Sequence, residues 1–313
     1  MAVNLKELHN IEYPLTGGHG LCAGCAESTI VRQIIMSIQA LGRPVVASMA
    51  TGCLEVSTSR FPWTSWRIPM IHSAFENSAT TISGVEAAHK ALVRKGRIED
   101  KNPVFIGFGG DGSTYDIGLQ WLSGAMERGH DMIYVCLNNE AYMNTGIQRS
   151  SATILGTWTT TTPVGSAIPG KPQWRKNLTA IMAAHNIPYV AQAAPHAWRD
   201  MMNKAQKAAE VRGAAFINTL STCPRGWRTD PKDSIRLTKL AADTCIWPLY
   251  EVEGGKWKLN YRPKEKLPIT DWLKVQGRFR HLLSEEHKPL VEHIQREVDR
   301  EWEELQDRCA KAA

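Results

Sequence analysis

The stretch from residue 104 to residue 139 constrains the fold of this chain most strongly, because its pattern predicts a strand, a turn, a helix and a second strand in succession. The apolar run 104–108 predicts the first strand, and the Gly-Gly-Asp-Gly turn at 109–112 places small residues where the backbone turns and can approach a phosphate. Apolar periodicity over 116–129 predicts the helix. The second strand, 132–137, delivers two asparagines directly at its end.

Asp111 and Asn139 are the residues of this stretch with metal-binding chemistry. In an open parallel sheet consecutive strands end on the same edge, so the two side chains are expected to converge. A carboxylate, an amide oxygen, a backbone carbonyl and diphosphate oxygens form the all-oxygen shell that Mg²⁺ or Ca²⁺ prefers. Either fragment alone is typical of an ordinary turn or strand end. Their combination in this strand-turn-helix-strand context favours a metal-diphosphate site.

The rest of the sequence alternates helix and strand patterns, which is typical of a doubly wound, mostly parallel α/β sheet. Strands are predicted over 44–49, 103–108, 132–137, 188–192 and 215–220. Helices are predicted over 27–41, 74–95, 116–129, 174–185 and 196–212. Asp116 is the expected N-cap of the third helix. A final amphipathic, charge-rich helix is predicted from Glu285 to Ala313.

Composition excludes several classes of function. The net charge of +6 is mild for 313 residues, and the basic residues are spread along the chain rather than massed in one stripe, so no nucleic-acid partner is expected. No apolar run approaches the roughly 18 to 20 residues of a membrane span, and the N-terminus lacks the apolar core of a signal peptide. We therefore expect a cytoplasmic protein without a membrane partner.

A chain of this length with 43% hydrophobic residues can bury one large core or two modest ones. We predict a cofactor-binding α/β domain over 1–235 and a C-terminal extension over 236–313, in which no chemistry is visible. The Thr-, Gly- and Pro-rich stretch 145–170 is expected to be a loop that covers the cofactor. His72 is expected to be a hydrogen-bonded structural residue rather than a base.

Four of the seven cysteines are placed where metal ligands are common. Cys22 and Cys25 form a CxxC pair between a glycine-rich loop and the first predicted helix, whose dipole stabilises thiolates. Cys53 and Cys223 each follow directly after a predicted strand. In a parallel sheet both emerge on the edge that carries the metal-diphosphate site, so the four thiols are expected to converge there.

These four cysteines fit the Cys₄ shell of a [4Fe–4S] cluster, but other readings are open. Structural zinc uses the same thiolates, and spacing alone favours neither metal. A thioredoxin-type redox pair needs the CxxC motif to follow a strand, and the preceding LTGGHG is a poor strand. Buried, inert thiols are a further possibility, which is preferred for Cys136 inside a predicted strand and expected for Cys245 and Cys309.

Two motif sets resemble a known family. A GDG followed after a helix and a strand by NN resembles the diphosphate motif of thiamine diphosphate enzymes. The longer motifs GDGSTYDIG (110–118) and AYMNTG (141–146) resemble those of the 2-oxoacid:ferredoxin oxidoreductases. A CxGC pair, an ATGC cysteine and a cysteine before proline match the cluster ligands of the same family. The resemblance covers essentially the whole chain and implies a thiamine diphosphate-binding β subunit with a [4Fe–4S] cluster.

The resemblance implies three sets of site residues. The first would hold Mg²⁺ or Ca²⁺: Asp111, Asn139 and the backbone carbonyl of Ala141. The second would contact thiamine diphosphate: Glu27, Cys53, Gly110, Asp111, Gly112, Ser113, Asn139, Ala141 and Asn144. The third would hold one [4Fe–4S] cluster: Cys22, Cys25, Cys53 and Cys223. Asn144, whose amide would face the substrate, is the expected catalytic residue.

The resemblance also implies partner subunits. A thiamine diphosphate enzyme needs a glutamate that protonates the aminopyrimidine ring, and in this family that residue belongs to a pyrimidine-binding domain on an α subunit. Glu27 and Glu55 are not candidates, since both belong to the diphosphate and cluster side. A ferredoxin-like cluster subunit and external ferredoxin would receive the electrons.

The expected substrate is a small 2-oxoacid or oxalate, and the sequence does not choose between them. Pyruvate would give acetyl-CoA and CO₂ and would require coenzyme A, whereas oxalate would give CO₂ without it. Two alternatives of other classes stay open. One is the half-site of a cluster-free thiamine diphosphate decarboxylase or carboligase, and the other is a zinc-stabilised, non-catalytic subunit.

Overall fold

A mixed eight-stranded sheet runs through the centre of the chain in the computed structural model, which describes residues 5–311. Its strands are β1 (Val45–Ala50), β2 (Met70–Ser73), β3 (Val104–Gly110), β4 (Ile133–Asn138), β5 (Tyr189–Ala193), β6 (Ala215–Leu220), β7 (Tyr250–Glu253) and β8 (Lys256–Leu259). Their spatial order is β2-β1-β3-β4-β6-β5-β7-β8. The strands from β2 to β5 in this order are parallel, and β7 and β8 join antiparallel.

Helices cover both faces of the sheet. They are α1 (Leu5–His9), α2 (Glu27–Gln39), α3 (Cys53–Thr58), α4 (Ser78–Arg94), α5 (Leu119–Glu127), α6 (Leu178–Ala183), α7 (Trp198–Glu210), α8 (Pro224–Trp227), α9 (Ser234–Asp243), α10 (Ile269–Leu273) and α11 (Lys288–Lys311). A π-helical turn spans Gly112–Ile117, and 3₁₀ turns span Pro231–Asp233, Gly277–Leu283 and Glu285–His287. Between residues 5 and 311, no helix combines the length and hydropathy that crossing a membrane requires.

The central strands are buried on both faces, as parallel strands covered by helices usually are. Successive side chains of a strand point to opposite faces, and each face has its own core. Ile106 and Val135 pack with α2 and α7 on one face. Phe105 and Tyr134 pack with α4 and α5 on the other. The sheet is therefore fixed in register by apolar burial from both sides.

The residues after 235 extend the same sheet and the same core. β7 and β8 add two strands beyond β5. Trp272 of α10 and Ile294 of α11 are fully buried in the core that contains Phe105 and Tyr134. The division into domains at residue 235 stays a prediction. In the structure the extension packs against the face of the sheet that carries Phe105 and Tyr134.

The doubly wound, mostly parallel sheet predicted from the sequence is confirmed, and each predicted strand coincides with an observed one to within two residues. The strands that the sequence did not predict, β2, β7 and β8, have four residues each, which is too short for a clear period. The helix predicted from 174 begins at Leu178, because the side chain of Asn177 caps it by accepting from the Ala180 N–H. The final helix is observed over Lys288–Lys311, and Ala312 and Ala313 lie outside the described residues.

The prediction that Asp116 caps a helix over 116–129 was wrong. The backbone first makes the π turn, in which the Gly118 N–H donates to the Ser113 carbonyl at 2.8 Å, and α5 begins only at Leu119. A Cβ at Gly118 would lie 2.3 Å from that carbonyl, so a glycine is needed here. Asp116 lies inside the turn, where its carboxylate accepts hydrogen bonds from Ser151 instead.

Replacing Ile294 by alanine tests whether the extension folds with the sheet. Truncating a fully buried isoleucine costs roughly 2–5 kcal/mol of unfolding free energy. We expect Ile294→Ala to shift a single unfolding transition in guanidinium chloride to lower concentration, measured by circular dichroism. Glu303→Ala, at an exposed position of the same helix, is the control and should leave the midpoint unchanged. Two transitions, of which only one moves, would contradict a shared core.

Candidate functional site

A cleft opens at the carboxyl ends of β1, β3 and β4. β1 and β3 lie side by side in the sheet, although β2 lies between them in sequence. β2 is added on one side of β1 and β3 on the other, so the order of the strands in the sheet reverses at this point. Such switch points are where open α/β sheets bind ligands. The cleft encloses about 690 Å³ of empty space, part of it open to solvent.

All nine residues expected to contact the cofactor line this cleft. They are Glu27, Cys53, Gly110, Asp111, Gly112, Ser113, Asn139, Ala141 and Asn144. Asp111 and Asn139 are buried at its base, whereas Asn144 is exposed at its mouth. Apolar side chains of Met49, Leu54, Phe75 and Phe108 complete the walls. The structure thus brings together residues from four separate segments of the chain.

Three oxygen atoms converge at the base of the cleft. The side-chain oxygen of Asn139 faces only acceptors, the main-chain carbonyl of Ala141 at 2.8 Å and Oδ1 of Asp111 at 3.0 Å. In this orientation the Asn139 amide nitrogen donates to Oε1 of Glu27 at 3.4 Å. Rotating the amide would satisfy the two acceptors but would lose the bond to Glu27. With the amide oxygen of Asn139 on this side, the three groups would offer the oxygen ligands that a hard divalent cation prefers.

Asp111 carries an electrostatic cost that a cation would offset. Its side chain is fully buried, and this burial raises its pKa to about 8, although Ser150 and the Asn139 N–H both donate to the carboxylate. Glu27 is a second buried carboxyl, with a pKa raised to about 7 by burial. Its Oε2 atom has no hydrogen-bond partner among the described residues. Buried carboxylates of this kind are normally paired or bound to metal.

The four expected cluster cysteines lie next to this cleft. Cys22 is exposed and Cys25 is partly buried just before α2, while Cys53 is the first residue of α3. Cys223 caps α8, and its sulfur accepts from the Gly226 N–H at 3.3 Å. Backbone hydrogen bonds connect these segments: the Ala26 N–H donates to Thr222 at 3.2 Å, and the Gly20 N–H donates to Ser57 at 2.7 Å.

The four thiols influence one another electrostatically. Burial, and then the Glu27 carboxylate, raises the pKa of Cys25 and Cys53 far above the usual value. Burial also raises the pKa of Cys223 to about 11, and the charge of Cys22 acts on both Cys53 and Cys223. All seven cysteines are free thiols. Within residues 5–311 no group of three or more His, Cys, Asp or Glu side chains has the geometry to hold a single ion.

Gly24, the glycine of the CAGC motif, is required by a close approach. Its φ is +74°, in the left-handed region that favours glycine, and a Cβ there would lie 2.5 Å from the carbonyl oxygen of Pro231. The cysteine loop is therefore pressed against the 3₁₀ turn that follows α8. This contact explains why the residue between Ala23 and Cys25 is small.

Several residues that hydrogen-bond to the segments carrying Asp111 and Asn139 were not identified from the sequence. Ser150 and Thr153, from the loop over 145–170, bond to Asp111 and to the carbonyl of Glu140. Lys171 is buried beside them, its Nζ donates to the Thr153 carbonyl at 2.6 Å, and burial lowers its pKa to about 8. The early part of that loop thus packs beneath the site, whereas 163–168 is exposed. That the loop covers the cofactor stays a prediction.

His72 lies outside the cleft lining. It hydrogen-bonds to Oγ1 of Thr51 at 3.0 Å, and its other ring nitrogen lies 3.5 Å from Oε1 of Glu55. These contacts agree with the structural role expected for it. Glu55 is buried and accepts a hydrogen bond from Ser59, so it does not reach the cleft.

Comparison with known proteins defines the class of this fold and site. The family model described as "Thiamine pyrophosphate enzyme, C-terminal TPP binding domain" matches residues 50–219. The 2-oxoglutarate:ferredoxin oxidoreductase from Magnetococcus marinus superposes with a TM-score of 0.56 and 21% identity, over 74% of this chain and 81% of that one. That similarity shows a shared fold. The chain is thus a thiamine diphosphate-binding α/β protein.

Relatives in sequence are more specific. The chain is 49% identical to pyruvate synthase subunit PorB of Thermotoga maritima, over 97% of this chain and 96% of that protein. It is 49% identical to the PorB subunit of Methanocaldococcus jannaschii, over 90% and 93% of the two chains. It is 41% identical to ketoisovalerate oxidoreductase subunit VorB of Pyrococcus abyssi, over 92% and 91%. The chain belongs to the β subunits of the 2-oxoacid:ferredoxin oxidoreductase family.

A pair of glycine substitutions tests the packing of the cleft. A Cβ at Gly112 would lie 2.5 Å from the ring of Tyr142, which lines the cleft, whereas a Cβ at Gly110 meets nothing within 4 Å. We expect Gly112→Ala to lower the free energy of unfolding by roughly 1–3 kcal/mol because the ring must move. Gly110→Ala is the matched control and should be neutral. Unfolding in urea without cofactor measures the free energy of unfolding of both variants. Equal values for the two would show that the Tyr142 ring moves aside without cost and would contradict the expected close packing.

Proposed function

We propose that this chain supplies the diphosphate half of a thiamine diphosphate site and an adjoining [4Fe–4S] cluster to an enzyme that oxidatively decarboxylates pyruvate. The observation that carries the proposal is the convergence of the Asp111 carboxylate, the Asn139 side-chain amide and the Ala141 carbonyl at the base of a cleft. Cys53, one of the four proposed cluster ligands, lines the same cleft. A cofactor and an electron acceptor would therefore be neighbours, in a cytoplasmic enzyme.

The residues at the base of the cleft fit a cation and a diphosphate. Asp111, Asn139 and the Ala141 carbonyl would hold Mg²⁺ or Ca²⁺, since all three present oxygen. The turn from Gly110 to Ser113 offers small residues and backbone amides at the end of β3, where a diphosphate can approach closely. Glu27, beside Asn139, would also contact the cofactor.

Thiamine diphosphate supplies the electron sink that decarboxylation of a 2-oxoacid requires. The chain's own residues would orient the substrate and exclude water from it. Met49, Leu54 and Phe75 form an apolar wall above the cation site. Asn144, which is exposed at the mouth, would donate its amide hydrogen to a substrate oxygen and is the proposed catalytic residue.

The four cysteines would carry the electrons away. Cys22, Cys25, Cys53 and Cys223 come from three segments that backbone hydrogen bonds connect, and in the proposal they would share a single cluster. An iron-sulfur cluster beside the cleft accepts electrons one at a time. A ferredoxin-like subunit and then external ferredoxin would receive them.

The cleft lacks one group that the chemistry needs. Among the described residues, the carboxyl groups that line it are those of Glu27 and Asp111, and the proposal assigns both to the diphosphate side of the cofactor. A pyrimidine-binding α subunit would bring that acid. Phe61 and Trp63, which are 97% and 78% exposed in the loop after α3, offer apolar surface for such a subunit.

Relatives favour pyruvate but do not fix the substrate. The two PorB relatives are named for pyruvate, whereas the VorB relative is named for ketoisovalerate at a similar identity. Pyruvate oxidation would use coenzyme A as acyl acceptor. Oxalate, a second small substrate, would need none.

The assembled complex should show this activity directly. We expect ferredoxin reduction with pyruvate that depends on coenzyme A, slower reduction with ketoisovalerate and none with oxalate. The isolated chain should turn over nothing because it lacks the acid. Preferential, coenzyme A-independent turnover of oxalate would replace pyruvate as substrate, and activity of the isolated chain would contradict the missing half-site.

Iron analysis of the same complex separates the cluster from the alternatives. Cys53→Ser removes one proposed ligand and should lower the iron content by about four atoms per chain. Cys309→Ser, on α11, is the control and should keep all of the iron. Zinc in place of iron would support a zinc-stabilised subunit. A colourless complex that still decarboxylates pyruvate would support the cluster-free alternative.

A further inference from the structure

Arg278, in the C-terminal extension, lies directly behind the turn that carries Asn139 and Ala141. Its Nη2 donates to Oε2 of Glu140 at 2.5 Å, and both side chains are only 1% exposed. Its Nε donates to Oε1 of Gln276 at 2.9 Å. A buried ion pair contributes little net stability, because removing both charges from water costs about as much as their attraction returns. The pair therefore calls for a role other than stability.

Glu140 lies in the chain between Asn139 and Ala141, two of the three proposed cation ligands. Its φ is +67°, a left-handed conformation that is uncommon for residues other than glycine. Its N–H donates to Oδ1 of Asn138 at 2.9 Å, and its carbonyl accepts from Oγ1 of Thr153 at 2.6 Å. The ion pair with Arg278 adds a restraint on the side chain to these restraints on the backbone. Together they fix the direction in which the chain enters Ala141.

Arg278 also contacts Trp227, which in turn hydrogen-bonds to the Asn139 end of this turn. Its guanidinium group lies 4.2 Å from the centre of the Trp227 ring. The indole Nε1 donates to the main-chain carbonyl of Asn139 at 2.8 Å. The carbonyls of Asn139 and Glu140 are thus both engaged behind the site. That of Ala141 faces the cleft, next to the Asn139 side chain.

The positive charge of Arg278 also acts on the charged groups around the proposed cation site. Arg278 pairs with Glu140 and is itself within electrostatic range of Asp111 and Cys223. Without Arg278, an unpaired buried carboxylate would lie beside Asp111 and would be free to rotate. The geometry and the charge of the turn depend on the same side chain.

We propose that Arg278 is a positioning residue, which holds the Asn139–Ala141 turn in the geometry that a small divalent cation needs and so favours Mg²⁺ over Ca²⁺. The inference rests on the cation site of the proposed function. Mg²⁺ requires near-ideal octahedral geometry at about 2.0–2.1 Å, whereas Ca²⁺ accepts six to eight oxygens at about 2.3–2.6 Å in flexible arrangements. A displaced Ala141 carbonyl therefore weakens Mg²⁺ binding more than Ca²⁺ binding.

The test measures cation affinity rather than turnover. The assembled complex is freed of cations and thiamine diphosphate with a chelator, and cofactor binding is then titrated with Mg²⁺ or with Ca²⁺. We expect Arg278→Met to weaken Mg²⁺ binding roughly 10- to 100-fold, as loss of residues that orient metal ligands commonly does. Ca²⁺ binding should weaken less, so the preference for Mg²⁺ falls. Glu140→Gln, which keeps the shape of the side chain, should change the preference in the same direction.

Arg175→Met is the matched control for removing a buried arginine. Arg175 bonds to Glu301 at 3.2 Å and to the Ile246 carbonyl, and it does not line the cleft. This variant should lower the melting temperature but leave the ratio of Mg²⁺ to Ca²⁺ affinity unchanged. The iron content of each variant reports whether the neighbouring cysteine loops are intact.

Each outcome decides between the possibilities. An Arg278→Met complex that folds and keeps the wild-type affinity ratio would overturn the proposal, because Arg278 would then be structural like Arg175. If Arg278→Met does not assemble, Glu140→Gln decides, and an unchanged ratio again overturns the proposal. A wild-type complex that binds thiamine diphosphate without any divalent cation would instead overturn the proposed function.

Discussion

The carboxylate of Asp111 is fully buried, and the side-chain amide of Asn139 lies 3.0 Å from its Oδ1 and 2.8 Å from the carbonyl of Ala141. A cation bound between such groups would offset the cost of burying the carboxylate. Much of the surrounding structure serves to hold them there. The strands β3 and β4 bring the two segments to one edge, Ser150 fixes the carboxylate, and Trp227 and Arg278 hold the turn from behind. The proposed cofactor binding and the proposed cation preference both depend on this one arrangement.

The parts of the site that follow directly after strands could be predicted from the sequence. Asp111 directly follows β3 and Asn139 directly follows β4, so parallel strand geometry alone brings them to one edge, and the same rule applies to Cys53 and Cys223. Arg278 could not be found in this way, because 138 positions separate it from Glu140 and only the packing of the extension joins them. The π turn was missed for a related reason. It depends on contact between Gly118 and the Ser113 carbonyl, which a hydrophobic period does not record.

The extension after residue 235 has a role that its sequence does not suggest. Among its described residues no cysteine or acidic residue lines the cleft, yet its 3₁₀ turn over Gly277–Leu283 brings Arg278 to the Asn139–Ala141 turn. Because that segment shares the core of the sheet's second face, the stability of the extension and the geometry of the site are coupled. The opposite side of the cleft is open at Asn144, where a partner subunit would complete the site. Buried side chains thus pack behind the proposed cation site, whereas Asn144 is exposed where the substrate would enter.

A crystal structure of the assembled complex with thiamine diphosphate and Mn²⁺ tests the central claim most directly, since Mn²⁺ prefers the same oxygen ligands as Mg²⁺ and gives an anomalous signal. We predict one Mn²⁺ peak at the base of the cleft, roughly 2.0–2.3 Å from Oδ1 of Asp111, the side-chain oxygen of Asn139 and the Ala141 carbonyl. A peak elsewhere, or an Asn139 amide turned so that its nitrogen donates to Asp111 and Ala141, would contradict the account.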